Sequence, residues 1–262
     1  MHHGRDARSS SRPAGIEEAE WALRLELAAC YRLFDHLGWT EAIFNHITVR
    51  VPHADKAMPH YLINPFGLHY SEVTASNLIK IDVTGKAISP TEHPVNVAGF
   101  VIHSAIHGAR EDAHCIMHVH TTAGCAVACK QSGLRQDNFY SAMLVGDVAY
   151  HDYMGVTTDL QEQPLLVKSL GSCNHMILRN HGLLVTGDDV PSAFHRLWTL
   201  QRACEVQLAS DAGLGPNRQV SPEVLERVPA TQKAMSTGAV SNSRRMFDAM
   251  VRRAGISYDA LT

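Results

Sequence analysis

The chain has 262 residues, of which 45% are hydrophobic and 19% charged, with a formal net charge of −3. This is enough for one sizeable domain that buries roughly 70–75% of its unfolded surface, and it excludes the broad basic field that nucleic acid would require. No apolar run approaches the length of about 18 residues needed to span a bilayer, and the N-terminus has no apolar signal-like core, so a cytoplasmic protein with no membrane partner is expected.

The six cysteines, at positions 30, 115, 125, 129, 173 and 204, are scattered without a Cys-x-x-Cys pair, which suits free thiols in a reducing compartment. Residues 1–15, with His-His, arginines and a serine run, have little to bury and read as disordered. From Ile16 to Leu37 apolar positions recur at three and four, which predicts an amphipathic helix ended by Gly38.

Strands are predicted at Ile43–Val51, Tyr61–Pro65 and Leu78–Val83, the last turning at Thr84-Gly85 into a hairpin partner over Lys86–Ser89. Asn45 and His46 open the first of these strands, and Phe66-Gly67 makes a turn after the second. Ser71 to Asn77 reads as a short capped helical turn, and Asn96 to Arg110 as a helix carrying His103 and His107 four residues apart. That spacing can chelate a metal, but no His-Glu-x-x-His pattern supplies a base between them, so structural or supporting roles are expected.

The stretch Cys115-Ile-Met-His-Val-His120 places His118 and His120 one residue apart in an apolar strand. Side chains alternate along a strand, so both imidazoles leave one face, about 6–7 Å apart at Cβ, a span one cation can bridge. A third ligand is expected from His181, where Asn-His-Gly interrupts a second apolar stretch and the glycine lets the backbone turn without crowding the imidazole. Three neutral histidines with a free position make an open, catalytic type of site; the alternative is a set of ordinary half-buried histidines, of which a chain with 17 must hold several.

After this strand a helix capped by Thr121 or Thr122 should run to Lys130, followed by a strand over Leu144–Tyr150 and a polar, aromatic loop with Asp152 and Tyr153. A short helix is expected over Pro164–Leu170, and a long one N-capped by Asp189 with Pro191 in its first turn. From Leu214 onward the pattern loosens, with one amphipathic helix over Arg244–Arg253 that packs on the parent domain or a neighbouring subunit. No glycine-rich phosphate loop occurs.

In order and spacing, Asn45-His-Ile-Thr-Val-Arg50, Pro65-Phe-Gly-Leu-His-Tyr70, His118-Val-His-Thr-Thr-Ala-Gly124, Ala149-Tyr-His-Asp-Tyr153 and Leu178-Arg-Asn-His-Gly182 resemble the class II aldolase/adducin family over about residues 17–213. The resemblance implies an α/β fold, a three-layer αβα sandwich around a mostly antiparallel sheet, with a homotetramer and a divalent metal on His118, His120 and His181. Zinc is the first choice, with iron, manganese or cobalt as alternatives. It implies a domain over 16–213 and a C-terminal extension over 214–262.

Two departures bear on function. The position of the family's catalytic glutamate, counted back from His118, is Gly99 here, and the hydroxyl donors of its phosphate pocket are missing around Asn45-His46, Phe66-Gly67 and Val97-Ala98. A phosphate dianion without donors would lose several kcal/mol on desolvation, so a non-phosphorylated hydroxy or oxo acid is the expected substrate. The reading is a metal-dependent lyase working through a metal-stabilised enediolate, with Asn45, His46 and Gly67 binding substrate and His103 or Tyr153 carrying the proton. Two alternatives stand beside it: a non-enzymatic oligomerisation module like the adducin head, and a non-haem iron oxygenase of the same family.

Overall fold

A computed structural model describes residues 12–52, 58–155, 159–235 and 240–262. The expected disorder of 1–15 falls mainly on 1–11, outside the described residues. The elements in chain order are α1 (Glu18–Leu37), β1 (His46–Val51), β2 (His60–Ile63), β3 (Ile79–Ile81), α2 (Val97–Ala109), β4 (Cys115–Val119), α3 (Thr122–Ala128), α4 (Phe139–Ala142), β5 (Val148–His151), α5 (Gln163–Leu170), β6 (His175–Leu178), β7 (Gly182–Gly187), α6 (Val190–Asp211), α7 (Pro222–Met235) and α8 (Asn242–Arg253).

The strands form one seven-stranded sheet in the order β3-β2-β1-β4-β7-β6-β5, antiparallel throughout except for the parallel pair β5/β6. Alternation along the central strands sorts their side chains into two cores. Ile47, Val49, Cys115, Met117, Val119, Leu183 and Val185 face one way, into a cluster with Trp21, Phe34, Phe194 and Phe247 of α1, α6 and α8. Ile116, Met176 and Leu184 face the other way, onto Ile102 and Ile106 of α2 and Leu166 and Leu170 of α5. Helices thus cover both faces, and the expected αβα sandwich is the architecture observed.

Local signals explain most element ends. Gly38 takes φ 68° and closes α1 by donating its N–H back to Asp35 and Phe34 carbonyls. Thr121 caps α3 by accepting from the Gly124 amide at 3.2 Å, and Asp189 caps α6 in a reciprocal box with Ser192. The first strand begins at His46 rather than at 43, because Ala42 sits at φ 47° and the Phe44 amide turns back to the Glu41 carbonyl.

Other expectations need correction. The partner strand over 86–89 reduces to one bridge, Ile81 to Ala87, because Asp82 gathers the Thr84 and Lys86 amides into a tight loop. The turn after Gly67 is a 3₁₀ segment, Tyr70–Glu72, whose cap is His69 and not Ser71. Residues 144–147 are a turn rather than strand, with Gly146 at φ 74°, and the short α4 before them was not expected. Helix α7 was also unanticipated: its described side chains are mostly exposed and it carries Pro229 in its interior, a residue that reads as a helix breaker. α8 buries Phe247, Met250 and Val251 in the main core of this chain.

Candidate metal centre

β4 and β7 are neighbours at the centre of the sheet, with His118 opposite Leu184. His118 lies on the α2 face of β4, and His120, one step past the strand end, returns to that face. The third imidazole arrives in the tight turn between β6 and β7, where the His181 amide bonds the Leu178 carbonyl at 3.0 Å. The left-handed residue in this turn is Asn180 (φ 57°), not the glycine, and asparagine tolerates that conformation well. Gly182 serves close approach: a Cβ there would lie 2.5 Å from the Val119 carbonyl oxygen and 3.0 Å from His120 Cδ2.

The ligand-capable nitrogens of His118, His120 and His181 all lie within 4.8 Å of one another, and the ring centroids form a near-equilateral triangle of 4.5, 4.8 and 4.8 Å. His118 Nδ1 donates to the Leu183 carbonyl at 2.9 Å, which fixes the tautomer and leaves Nε2 a lone pair aimed at His120 Nε2, 2.8 Å away. Burial first, and the neighbouring imidazoles second, hold His118 well below the usual histidine range and bring His181 down to about 4; burial lowers His120 as well. All three are therefore neutral bases at pH 7. Convergent ring nitrogens, a backbone-fixed tautomer at His118 and a glycine seat that no side chain fills are what an open three-imidazole metal site requires. Asn45 supports it from outside: its Oδ1 accepts from the His120 amide at 3.1 Å while its Nδ2 donates to the Trp39 carbonyl at 2.9 Å.

The triad opens into a cavity of 480 Å³ that Phe44, His46, Gly99, Ile102 and Tyr153 help to line. No Asp, Glu, Lys or Arg is among its described lining residues. A larger groove of 720 Å³, beyond the far end of β1, is lined by charged groups such as Glu26, Asp189 and Arg244 and lacks a histidine cluster among the described residues.

His46 pairs with His118 across β1 and β4, and its ring takes the space beside residue 99: a Cβ on Gly99 would meet Nδ1, Cε1 and Nε2 of that ring, each at 2.7 Å. Behind it His103, centroid 4.3 Å away, begins a hydrogen-bond chain whose directions are fixed by proton count. The Ala113 carbonyl can only accept, so His107 Nδ1 donates to it at 2.7 Å and His107 Nε2 is an acceptor. Thr48 Oγ1 gives its proton to that nitrogen at 2.8 Å and in turn accepts from His103 Nδ1 at 2.7 Å. His103 Nε2 is left a buried lone pair without a partner, and His46 Nε2 is likewise buried and unpartnered. Burial holds all three rings neutral, His46 down to about 4, His107 to about 3 and His103 well below its usual range.

The structure therefore brings His46 and Tyr153 to the cavity with the triad and sets His103 one layer behind, fully buried. Gly67, at φ 101°, and Asn45 lie outside the cavity lining, the latter with its side chain engaged by backbone groups. Thr48, and Gly99 as the seat of His46, were not singled out for these roles by the sequence. The only signal was β-strand alternation, which puts 46 and 48 on one face; the partners on α2 are some 50 residues away.

A mixed sheet covered by helices, with three histidines meeting at its centre beside an open cavity, defines a sandwich protein built around a three-histidine pocket. The chain belongs to the class II aldolase and adducin N-terminal domain family, whose model matches residues 25–208. It is 40% identical to an aldolase II superfamily protein from Pseudomonas syringae, covering 94% of this chain and 98% of that one at a TM-score of 0.86. An L-fuculose 1-phosphate aldolase from Glaciozyma antarctica is 30% identical, covering 95% and 94%, with a TM-score of 0.77. Mouse alpha-adducin is 46% identical over 202 residues, 76% of this chain but 27% of that longer protein.

Proposed function

We propose that the chain is a metal-dependent lyase that cleaves or decarboxylates a small, non-phosphorylated hydroxy or oxo acid. The observation that carries this reading is the convergence of three neutral imidazoles on one point at the wall of an open cavity. A divalent ion held by His118, His120 and His181, zinc in the first instance, would supply Lewis acidity toward the substrate oxygens, worth several kcal/mol in such sites. The protein's own part is to hold the His118 lone pair in place through Leu183, to fix the His120 backbone through Asn45, and to keep charged side chains away from the cavity. Tyr153, half-exposed at the cavity wall with its ring 6.3 Å from that of His181, is the proton donor in this reading. His46 contacts substrate, Gly67 shapes the neighbouring turn, and His103 acts behind His46. A cytoplasmic homotetramer is the expected form.

A second reading, a non-enzymatic module like the adducin head, is favoured by the likeness to alpha-adducin and by the way His46 fills the place beside Gly99. The relative named for a phosphosugar leaves that substrate class as a third arm of the test. Protein purified without chelator is analysed for bound metal, then screened for retro-aldol cleavage of 4-hydroxy-2-oxo acids, decarboxylation of 3-oxo acids and cleavage of fuculose 1-phosphate. One metal per chain with turnover of an acid supports the lyase; no turnover of any of them supports the module; turnover of the phosphosugar alone overturns the substrate assignment.

A further inference from the structure

The cavity wall is divided in a way that specifies more than a metal ligand. Its floor is the triad and His46, with His118 and His46 buried and His120 and His181 half-buried. Two aromatic rings stand in solvent at its rim: Phe44 and Tyr153 are each 53% exposed, and Phe44 leans on Phe66 with ring centroids 6.3 Å apart, while Asn96 and Asn180 add neutral amides to the same wall. Phe44 precedes β1 and Tyr153 follows β5, so the two rings rise on opposite flanks of the β4/β7 pair that carries the triad. Ile102, buried on α2, adds an apolar side chain to the lining. Half-exposed aromatics gathered around a polar floor mark a place that apolar matter covers. No cation is among the described lining residues, so a second anionic group, away from the metal, would find no charged partner there, only the neutral amides of Asn96 and Asn180.

The geometry points to a ligand with one anionic, oxygen-rich end and one apolar or aromatic end: a 2-hydroxy or 2-oxo monocarboxylate whose side group lies between Phe44 and Tyr153. The volume of 480 Å³ is of the size that holds such a molecule. This rests on the metal-site reading above and narrows it. Phe44 is then a specificity-determining residue, acting on the side group and not on the reacting atoms.

The test uses the full chain loaded with Co²⁺, whose visible absorption reports ligands at the ion without any turnover. Lactate, 3-phenyllactate and 3-phosphoglycerate are titrated in turn. The expected result is that 3-phenyllactate perturbs the spectrum at a concentration at least 10-fold below lactate, that 3-phosphoglycerate binds no more tightly than lactate, and that Phe44→Ala reduces the phenyllactate-to-lactate ratio to within about 3-fold of unity. Phe44→Leu, which keeps an apolar group, should retain an intermediate ratio. Equal affinities for lactate and 3-phenyllactate, or tighter binding of 3-phosphoglycerate, overturn the inference while leaving the metal site intact. A change in molecular mass of Phe44→Ala with no change in the ratio also overturns it, and assigns the rim to a second copy of the chain. Failure to take up Co²⁺ overturns the metal-site reading and this inference with it.

Discussion

Gly99→Ala tests the close approach of the His46 ring to α2. The new methyl carbon would sit 2.7 Å from three atoms of the His46 ring, well inside van der Waals contact, and that ring is held between His103 and His118 with 2% of its surface exposed. Two effects oppose each other. Overpacking a closed core costs about 2–3 kcal/mol, whereas alanine for glycine inside a helix gains up to about 1 kcal/mol. The clash wins, so the variant should lose about 1–2 kcal/mol, which for a chain near this size lowers Tm by roughly 2–8 °C. In a His46→Ala background the three nearest obstacles are gone and only the helix term remains, so the same substitution should become neutral or stabilising. Thermal unfolding of all four members of this cycle is measured after chelation, so that metal binding does not shift the midpoints. A Gly99→Ala substitution that raises Tm in both backgrounds would refute the reasoning, because it would mean that His46 does not occupy the space beside residue 99.

Three further outcomes are expected. Gly182→Ala drives a Cβ to 2.5 Å from a backbone oxygen that cannot swing away, so metal affinity measured by competition with a chromogenic chelator should fall at least about 10-fold, the scale of disturbed metal support; unchanged affinity would show that the turn is free to shift. Thr48→Val keeps the shape but removes both hydrogen bonds of the hydroxyl, leaving His107 Nε2 and the His103 N–H unpaired in the core, so chemical denaturation should show a loss of about 1–3 kcal/mol. Because His46, His181 and His107 have folded-state pKa values lowered to about 4, 4 and 3, the unfolded chain binds more protons below the ordinary histidine value of about 6.5. Stability of the chelated protein should thus be full above that pH and fall as pH drops toward 4, and His107→Gln should flatten the slope in urea titrations at pH 7, 6 and 5.

Much of this was written in local pattern. The alternation in Cys115–His120 put both imidazoles on one face because a strand has no other way to arrange them, and Gly38, Thr121 and Asp189 end or begin helices through hydrogen bonds made within a few residues. What failed was also local in origin. Lys86–Ser89 has strand-like residues, but Asp82 captures the neighbouring amides, and α7 carries Pro229, which reads as a helix breaker, in its interior. Asn180 and Gly182 were legible as a turn, yet which of the two bends the chain and which makes room is a matter of dihedral angle and neighbour distance.

The sequence by itself determined the pair His118 and His120 and the lack of a charged side chain at residue 99, which follow from spacing and residue type, while the αβα architecture was legible only through the motifs that resemble the family. The tertiary structure brought His181, expected from the Asn-His-Gly turn, to that pair, and it alone decided that His46 fills the gap over Gly99 and that Thr48 orients two histidines of α2. These are contacts between segments some 50 or more residues apart, set by sheet order and helix placement, and no local pattern encodes a distance across a sheet.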